Sequence, residues 1–323
     1  MKESAIGEVR ALRVGVVGAT GFVGAAVVET VRRMDRVDVV SLRAPRAEWC
    51  PGGAEPLMSR NADLIKEFAC RLVGLDAVVN CAGNPGASSS NREALWAANC
   101  ATAGVVAAAA TRAGVPRLVH VSSAAVLGRA EVLSDTLATR PENAYGESKA
   151  DGETAVLGAH LRPVIYRPPG VHGRDRKVTL ALCRLARSRF ASVAAPGDDN
   201  APQALIGNVA SAIGFLATSE VEPPLVVTHP SEGLETGELL ELLGGSSPRL
   251  IPRVVAGSLL NTGFALSKLS PWLYAQVRRV EVLWFGQRQG SSWLSCQGWR
   301  PPYGKAEWER LGVDLRANSA SVP

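Results

Sequence analysis

The sequence has no C-x-x-C pair: its six cysteines, Cys50, Cys70, Cys81, Cys100, Cys183 and Cys296, fall at irregular intervals. That absence argues against a structural zinc site and a disulfide framework, and it fits a reducing, cytoplasmic setting. Histidine is scarce as well. The four, His120, His160, His172 and His229, show no metal-ligand spacing, so no metal is expected and no histidine is given a catalytic part. No low-complexity tract or internal period is visible, which leaves out disordered chains and repeat architectures. Basic residues are scattered and not interleaved with aromatics, and the formal net charge is +5 over 323 residues, so a nucleic-acid-binding stripe is not expected. Nor does an apolar run reach the ~20 residues of a membrane span. The longest candidate, from Val254, meets Lys268 after 14 uncharged residues and Pro271 soon afterwards, so it reads as a buried or interfacial helix without stable membrane insertion. The apolar stretch near the start carries Gly15, Gly18, Gly21 and Gly24 and no cleavage-like end, and is not read as a secretory signal.

What is present is an α/β composition, 46% hydrophobic and 20% charged, in a chain long enough for two domains at ~150 residues each. "LRVGVVGATGFVGAAVVETVRRM" opens with a short β-branched run, passes glycines 18, 21 and 24, and continues with apolar positions at helical spacing. It reads as strand, tight turn and helix. In such a turn Gly18 permits the bend, Gly21 lets a pyrophosphate approach the backbone, and Gly24 lets the helix press on the sheet. The phosphates then meet the free N–H groups of the helix start, so a dinucleotide site is expected. The next strand, in "VDVVSLRAPR", ends with Arg43 and Arg46 and no carboxylate. Arginine there accommodates a 2′-phosphate, which favours NADP; NAD is the alternative, with Glu48 available to the free 2′-hydroxyl. A third strand is expected before Asp63 in "NADLIKEF", a fourth in "LDAVVNCAG" and a fifth in "GVPRLVHVSSAAVLG", with the helix "NREALWAANCATAGVVAAAATRAG" between the last two. This alternation predicts an α/β fold, a Rossmann-type doubly wound parallel sheet with helices on both faces.

"VHVSSAAVLG" brings Ser122 and Ser123 to the carboxyl end of a strand, where ligands bind in such sheets. In "NAYGESKADGE", Tyr145 and Lys149 stand at i and i+4 of a helix and share a face. A free phenol, with a pKa of ~10, is a poor base at neutral pH, and a neighbouring ammonium moves it toward working range. The expected set is therefore Ser123 bonding a substrate oxygen, Tyr145 exchanging a proton, and Lys149 tuning the phenol and holding the nicotinamide ribose. A hydride passes to or from the cofactor meanwhile. Ser122 is expected to satisfy backbone groups alone.

The stretches "GATGFVG", "LDAVVNCAG", "AANCATAGVVAAAA", "VHVSSAAVLG", "RPENAYGESKADGE" and "VIYRPPGVHG" follow one another over residues 14–173 in a family's order and spacing. The chain resembles the extended short-chain dehydrogenases/reductases of the NAD-dependent epimerase/dehydratase type, in particular the sugar-nucleotide-modifying members. The resemblance implies that Ser123, Tyr145 and Lys149 are the catalytic set, with Asn99 near the lysine in a proton relay. It implies Thr20, Phe22 and Val23 along the pyrophosphate, Asp63 and Leu64 near the adenine, Ala82 and Gly83 against the cofactor, and Arg167, Pro168, Pro169 and Gly170 beside the nicotinamide end. It also implies a homodimer. Residues 1–173 would be the dinucleotide-binding domain, with a returning segment near 203–230, and residues 174–323 mainly a smaller, C-terminal substrate-binding lobe.

Departures from the family narrow the reaction. Relatives that eliminate water or carbon dioxide place an acidic residue just after the active serine or threonine; Ala124 and Ala125 stand there in this chain, so elimination lacks its acid or base. Leu127 replaces a tyrosine common in epimerases. Gln203 and Asn208 stand near the places of an arginine and an aspartate found in sugar-nucleotide enzymes. Arg174, Arg176, Lys177, Arg187 and Arg189 either grip a diphosphate instead or form a solvated basic helix. "GWRPPYGKAEWERLGV" resembles the closing segment of sugar-modifying members, and four of the seven tryptophans lie at or after Trp284, which predicts aromatic packing in a lobe over the cleft. The expected function is a 4-ketoreductase-like oxidoreductase using NADP, or NAD, on a small molecule, a sugar or nucleotide sugar. A nucleotide-sugar 4-epimerase with retained NAD is the alternative, and a non-catalytic NADP-binding regulator a further one, against which the intact Ser-Tyr-Lys set weighs.

Overall fold

The structure is a computed structural model and describes residues 10–86, 91–158, 162–267 and 270–320; His160 lies outside the described residues. The first half runs β1 (Leu12–Val17), α1 (Phe22–Arg32), β2 (Val37–Leu42), α2 (Ala54–Arg60), α3 (Ala62–Cys70) and β3 (Ala77–Asn80). Then α4 (Arg92–Trp96) passes through a π-helical turn, Ala97–Ala101, into α5 (Thr102–Arg112). After β4 (Arg117–Val121) come a short 3-10 turn over Ala124–Leu127, β5 (Val132–Leu133), α6 (Ala144–Leu157), β6 (Val164–Arg167) and β7 (Gly170–His172). The remainder is α7 (Lys177–Ala186), β8 (Ser192–Ala194), β9 (Gln203–Leu205), α8 (Ile206–Thr218), β10 (Val226–Thr228), α9 (Thr236–Gly244) and β11 (Arg249–Ile251), then α10 (Arg253–Ser267), α11 (Pro271–Phe285), β12 (Arg288–Gln289), α12 (Trp293–Cys296) and α13 (Lys305–Ala320).

Six strands form one parallel sheet in the order β2-β1-β3-β4-β6-β10. The valine-rich strands suit it because both faces are covered. Val14, Val16, Val79, Val119 and Val121 point into a core shared with α1 and α8, while Val17, Val78 and Leu118 point the other way, toward α3 and α5. The chain order reverses at β1, whose neighbours are β2 and β3, so a crevice opens at the carboxyl ends of β1 and β3.

The third strand expected before Asp63 does not form, and β2 is the edge of the sheet. Residues 43–53 are irregular and lead into α2. Pro45, Pro51 and Pro56 lack the N–H a ladder needs, and Gly52 and Gly53 take φ of 111° and 96°. The fourth and fifth expected strands are thus β3 and β4. Among the described residues one helix, Arg92–Arg112, is long and apolar enough to cross a membrane, but 72% of its apolar 18-residue window is buried inside the fold.

A second core joins α7, α9 and α13 around Cys183, Leu239, Leu240, Leu243 and Trp308. The tryptophans expected there divide. Trp308 belongs to this core, whereas Trp299 is part of the main-sheet core and Trp293 packs against it, so the C-terminal segment is stitched across both cores. Asn208 on α8 fixes that segment, donating to the Tyr303 carbonyl at 2.8 Å and accepting from its N–H at 2.9 Å.

Candidate functional site

The crevice at β1 begins with the glycine turn. Gly18 has φ of 78° and its N–H donates to the Leu42 carbonyl at 3.0 Å. A Cβ on Gly24 would lie 2.1 Å from the Gly18 carbonyl oxygen, so a side chain there would push α1 off the turn. The helix starts at Gly21 with no side-chain cap and no carboxylate in its first turn, which leaves its N–H groups to an anion. Thr20 and Gly21 are exposed, and Phe22 and Val23 are half-buried. The same Gly18–Leu42 bond sets Arg43, exposed, next to this turn. Glu48, the competing carboxylate, is held instead by Arg60 at 2.9 Å.

The far wall is built by α6. Asn143 caps it, accepting from the Gly146 N–H at 2.8 Å, and Gly146 lies so close to the 3-10 turn that a Cβ would sit 2.9 Å from the Ala125 carbonyl. This contact brings Tyr145, in the first turn, to Ser123, whose side chain bears on the phenol and draws its pKa down. Ser123 also accepts from the Ala125 N–H at 3.2 Å, and Pro168 holds the same turn by accepting from the Ala124 N–H at 2.9 Å. One helical turn on, Lys149 is buried and donates to the Val121 carbonyl at the end of β4, 2.7 Å away.

Two expectations about these residues are corrected. Burial pushes the Tyr145 phenol above its ordinary pKa, and what pulls it back is the Ser123 side chain and the charge of Arg176, not Lys149. Lys149 is itself pushed down to about 8 by burial, against the charges of Glu153 and Cys81. Ser122 does not merely satisfy backbone: it donates to the Glu153 carboxylate at 2.5 Å. That carboxylate is fully buried and takes both Nε and a terminal nitrogen of Arg167, at 2.8 and 2.6 Å. Arg167 is therefore committed to α6, and its remaining nitrogen donates to the Thr136 carbonyl at 2.7 Å.

Gly83 joins the halves. A Cβ there would lie 2.9 Å from Asn99 Oδ1 and 3.8 Å from Lys149 Nζ, so Gly83, Asn99 and Lys149 meet after β3. Asn99, in the π-helical turn, is engaged on every side. It accepts from the Asn84 N–H at 2.7 Å and donates to the Asn84 carbonyl at 3.1 Å and to Ser148 Oγ at 2.9 Å, which makes it a clamp on the loop. Ala82 follows Asn80, whose side chain accepts its N–H at 3.1 Å. Asp63 and Leu64 lie in the first turn of α3, where Asp63 is 97% exposed and paired with Lys66.

Of the five basic residues after Gly173, Arg174 pairs with Asp314 and Arg189 stacks on Phe190. Arg176 faces inward, half-buried, its guanidinium 4.7 Å from the Phe22 ring centre and its charge acting on Tyr145. It thus links the glycine turn to the phenol. Glu153 escaped sequence reasoning although it continues the Tyr145–Lys149 spacing by a further four residues.

A sequence model of the NAD dependent epimerase/dehydratase family matches residues 14–217. The chain is 30% identical over 194 residues to sterol-4-alpha-carboxylate 3-dehydrogenase, decarboxylating, of Bos taurus, covering 55% of this chain and 52% of that protein. It thus spans about half the length of that relative. It is 25% identical over 289 residues to dTDP-4-dehydrorhamnose reductase of Mycobacterium tuberculosis (strain ATCC 25618 / H37Rv), covering 81% and 89% of the two chains. Among solved structures, UDP-glucuronic acid 4-epimerase from Bacillus cereus in complex with NAD shares the fold, with a TM-score of 0.64 at 16% identity over 95% of this chain and 99% of that one.

Proposed function

The chain belongs to the NAD dependent epimerase/dehydratase family, and from that premise we propose that it is an NADP-preferring oxidoreductase. Its substrate is a ketone or hydroxyl of a sugar or nucleotide sugar, and its simplest reaction is a 4-ketoreduction. The observation that carries this reading is the Ser123–Tyr145 hydroxyl pair, set across the crevice from an uncapped helix N-terminus. The residues fit a dinucleotide: Gly18 and Gly24 let the turn approach β3 and α1 more closely than any side chain would allow, and Gly83 packs against Asn99 beside Lys149. When bound, the nicotinamide supplies or takes the hydride. Tyr145, kept protonated by burial, hands its proton to the developing alkoxide, and Ser123 orients the carbonyl oxygen. Lys149, a cation below pH about 8, binds the ribose, and the charge of Arg176 favours the phenolate that remains. Arg43 supports the NADP preference, because it lies beside the turn while Glu48 is occupied by Arg60.

The reading is tested with purified protein, dTDP-4-dehydrorhamnose and related 4-keto nucleotide sugars, and NADPH. We expect stoichiometric oxidation of NADPH, and a loss of about 10²–10⁴-fold in turnover for Tyr145→Phe with unchanged NADPH affinity. Interconversion of two sugar nucleotides with no net cofactor oxidation would make the protein an epimerase. A Tyr145→Phe protein as active as wild type would end the proposal.

A further inference from the structure

The turn that carries Ser123 is held at its far end by a helix of the C-terminal lobe. A 3-10 turn has poor internal hydrogen bonds, so its shape is set by what it meets outside. Over Ala124–Leu127 the internal bonds are long, 3.2 Å from the Val126 N–H to the Ser123 carbonyl and 3.3 Å from the Gly128 N–H to the Ala125 carbonyl. The start is tied to the Pro168 carbonyl, and in the middle the Val126 carbonyl accepts the Arg140 N–H at 2.8 Å. The end is Gly128, whose φ is 54° and where a Cβ would lie 2.3 Å from the Arg140 carbonyl oxygen. Two side chains reach this end, Arg278 from α11 and Gln287 from just beyond it. Arg278 donates to the Gly128 carbonyl at 3.1 Å, and Gln287 donates to the same carbonyl at 3.3 Å and to that of Ala130 at 2.6 Å.

Both donors are themselves fixed. Gln287 Oε1 accepts, at 2.9 Å, from the Arg278 nitrogen that bonds Gly128, and the other terminal nitrogen of Arg278 donates to Glu281 Oε2 at 2.5 Å. Glu281 Oε1 takes Arg129, the residue after Gly128, at 2.5 Å. Glu281 is 14% exposed and Arg278 18%, so solvent screens their charges little. An Arg–Glu–Arg group of this kind is a weak source of net stability, because desolvation offsets the attraction of its charges; what the planar forks supply is direction. The same hairpin reaches the start of α6. Arg129 lies 4.5 Å from the Phe264 ring centre on α10, and Phe264 lies 5.6 Å from Tyr274 on α11. The Tyr274 phenol is pushed up by burial and by the carboxylate of Glu142, which directly precedes Asn143, the cap of α6. Toward the lobe, α11 packs Leu283 against the second core, and the Gln287 N–H donates to the Asn200 carbonyl at 3.0 Å.

We propose that Arg278 and Gln287 are positioning residues for the hydride-transfer reaction. Through the Gly128 and Ala130 carbonyls they hold the turn that begins at Ser123, with Glu281 fixing the Arg278 fork, and so keep the Ser123 hydroxyl against the Tyr145 phenol. The inference rests on the oxidoreductase reading of Ser123 and Tyr145, and it gives the C-terminal lobe, through α11, a part in the chemical step as well as in binding.

A double-mutant cycle on NADPH oxidation with the 4-keto nucleotide sugars tests it. Arg278→Met should lower kcat about 10- to 100-fold with unchanged NADPH affinity. In a Ser123→Ala protein the same change should lower kcat no further, because the group it positions is already gone. Effects that multiply would make Arg278 a support of the fold at large, and they overturn this proposal alone, as does an Arg278→Met protein with wild-type kcat. A Ser123→Ala protein as active as wild type overturns the catalytic reading of Ser123 and this proposal with it. Gln287→Ala, which removes a donor to both carbonyls and no charge, is the second variant should Arg278→Met lose its native far-UV circular dichroism. Amide hydrogen exchange over residues 124–130 reads the same hold without a substrate. Faster exchange there in Arg278→Met is expected, and exchange equal to wild type overturns the proposal whether or not a substrate turns over.

Discussion

At the scale of single residues, the site turns on which cation faces the phenol. The spacing of Tyr145 and Lys149 puts both on one face of α6, and that much is legible in the sequence. The sequence does not say where the ammonium goes: Lys149 extends to the Val121 carbonyl, and the charge acting on Tyr145 comes from Arg176, on another element. No local pattern links residues 31 positions apart, so Arg176 was indistinguishable from its four basic neighbours. Arg176→Met should let the phenol pKa rise further, because it removes a charge that lowers it. In the reducing direction, which needs the protonated phenol, the alkaline fall of kcat/KM should then move to higher pH, and Arg176→Lys should restore it. A profile that stays in place, with KM alone raised, would mean that Arg176 contacts the substrate and does not tune the tyrosine.

At the scale of elements, the motif-bearing segments were readable because each has a local cause. Gly18 and Gly24 answer to a positive φ and to a backbone contact, and β1 and β4 to a sheet buried on both faces. The third strand was a misreading whose correction was already present in Pro45, Pro51, Gly52, Gly53 and Pro56. The pairing of α6 with β6 was not readable, since Glu153 and Arg167 declare their partnership only when the helix lies on the strand. This pair also anchors Ser122, next in the chain to Ser123. Glu153→Gln would leave the Arg167 guanidinium buried without its counter-charge, and removing one partner of such a pair costs about 3–5 kcal/mol. A lower urea midpoint of that order is expected, together with weaker cofactor binding as the Ser122–Ser123 strand end loosens. A midpoint equal to wild type would show that the pair contributes nothing net.

At the scale of the whole molecule, what sequence reading lacked was the way distant segments share cores: Trp299 and Trp308, nine residues apart, are in different ones. Where two segments meet, the fold traps uncharged histidines, and this has a consequence for pH. His172, in β7, is buried between α7 and α13. Its Nε2 donates to Gln203 Oε1 at 2.8 Å, its Nδ1 accepts from the Thr179 hydroxyl at 3.1 Å, and its ring lies 5.4 Å from that of Trp308. A proton on Nδ1 would break the second bond and bury a charge, and burial holds the pKa down to about 4. His120, in β4, is pushed down the same way by burial and by the charge of Lys149. A depressed folded-state pKa means that the unfolded chain takes up protons first, below about 6.5. The stability these neutral imidazoles contribute is therefore complete above that pH and is lost as pH falls toward 4, and for His172 it amounts to about 3 kcal/mol at most. Urea midpoints should fall from about pH 7 to about pH 5, where few carboxylates have yet titrated. His172→Gln, which keeps a donor toward Gln203 and cannot titrate, should flatten that slope. If the variant loses stability over this window as steeply as wild type, His172 is not the group that makes the fold sensitive to acid.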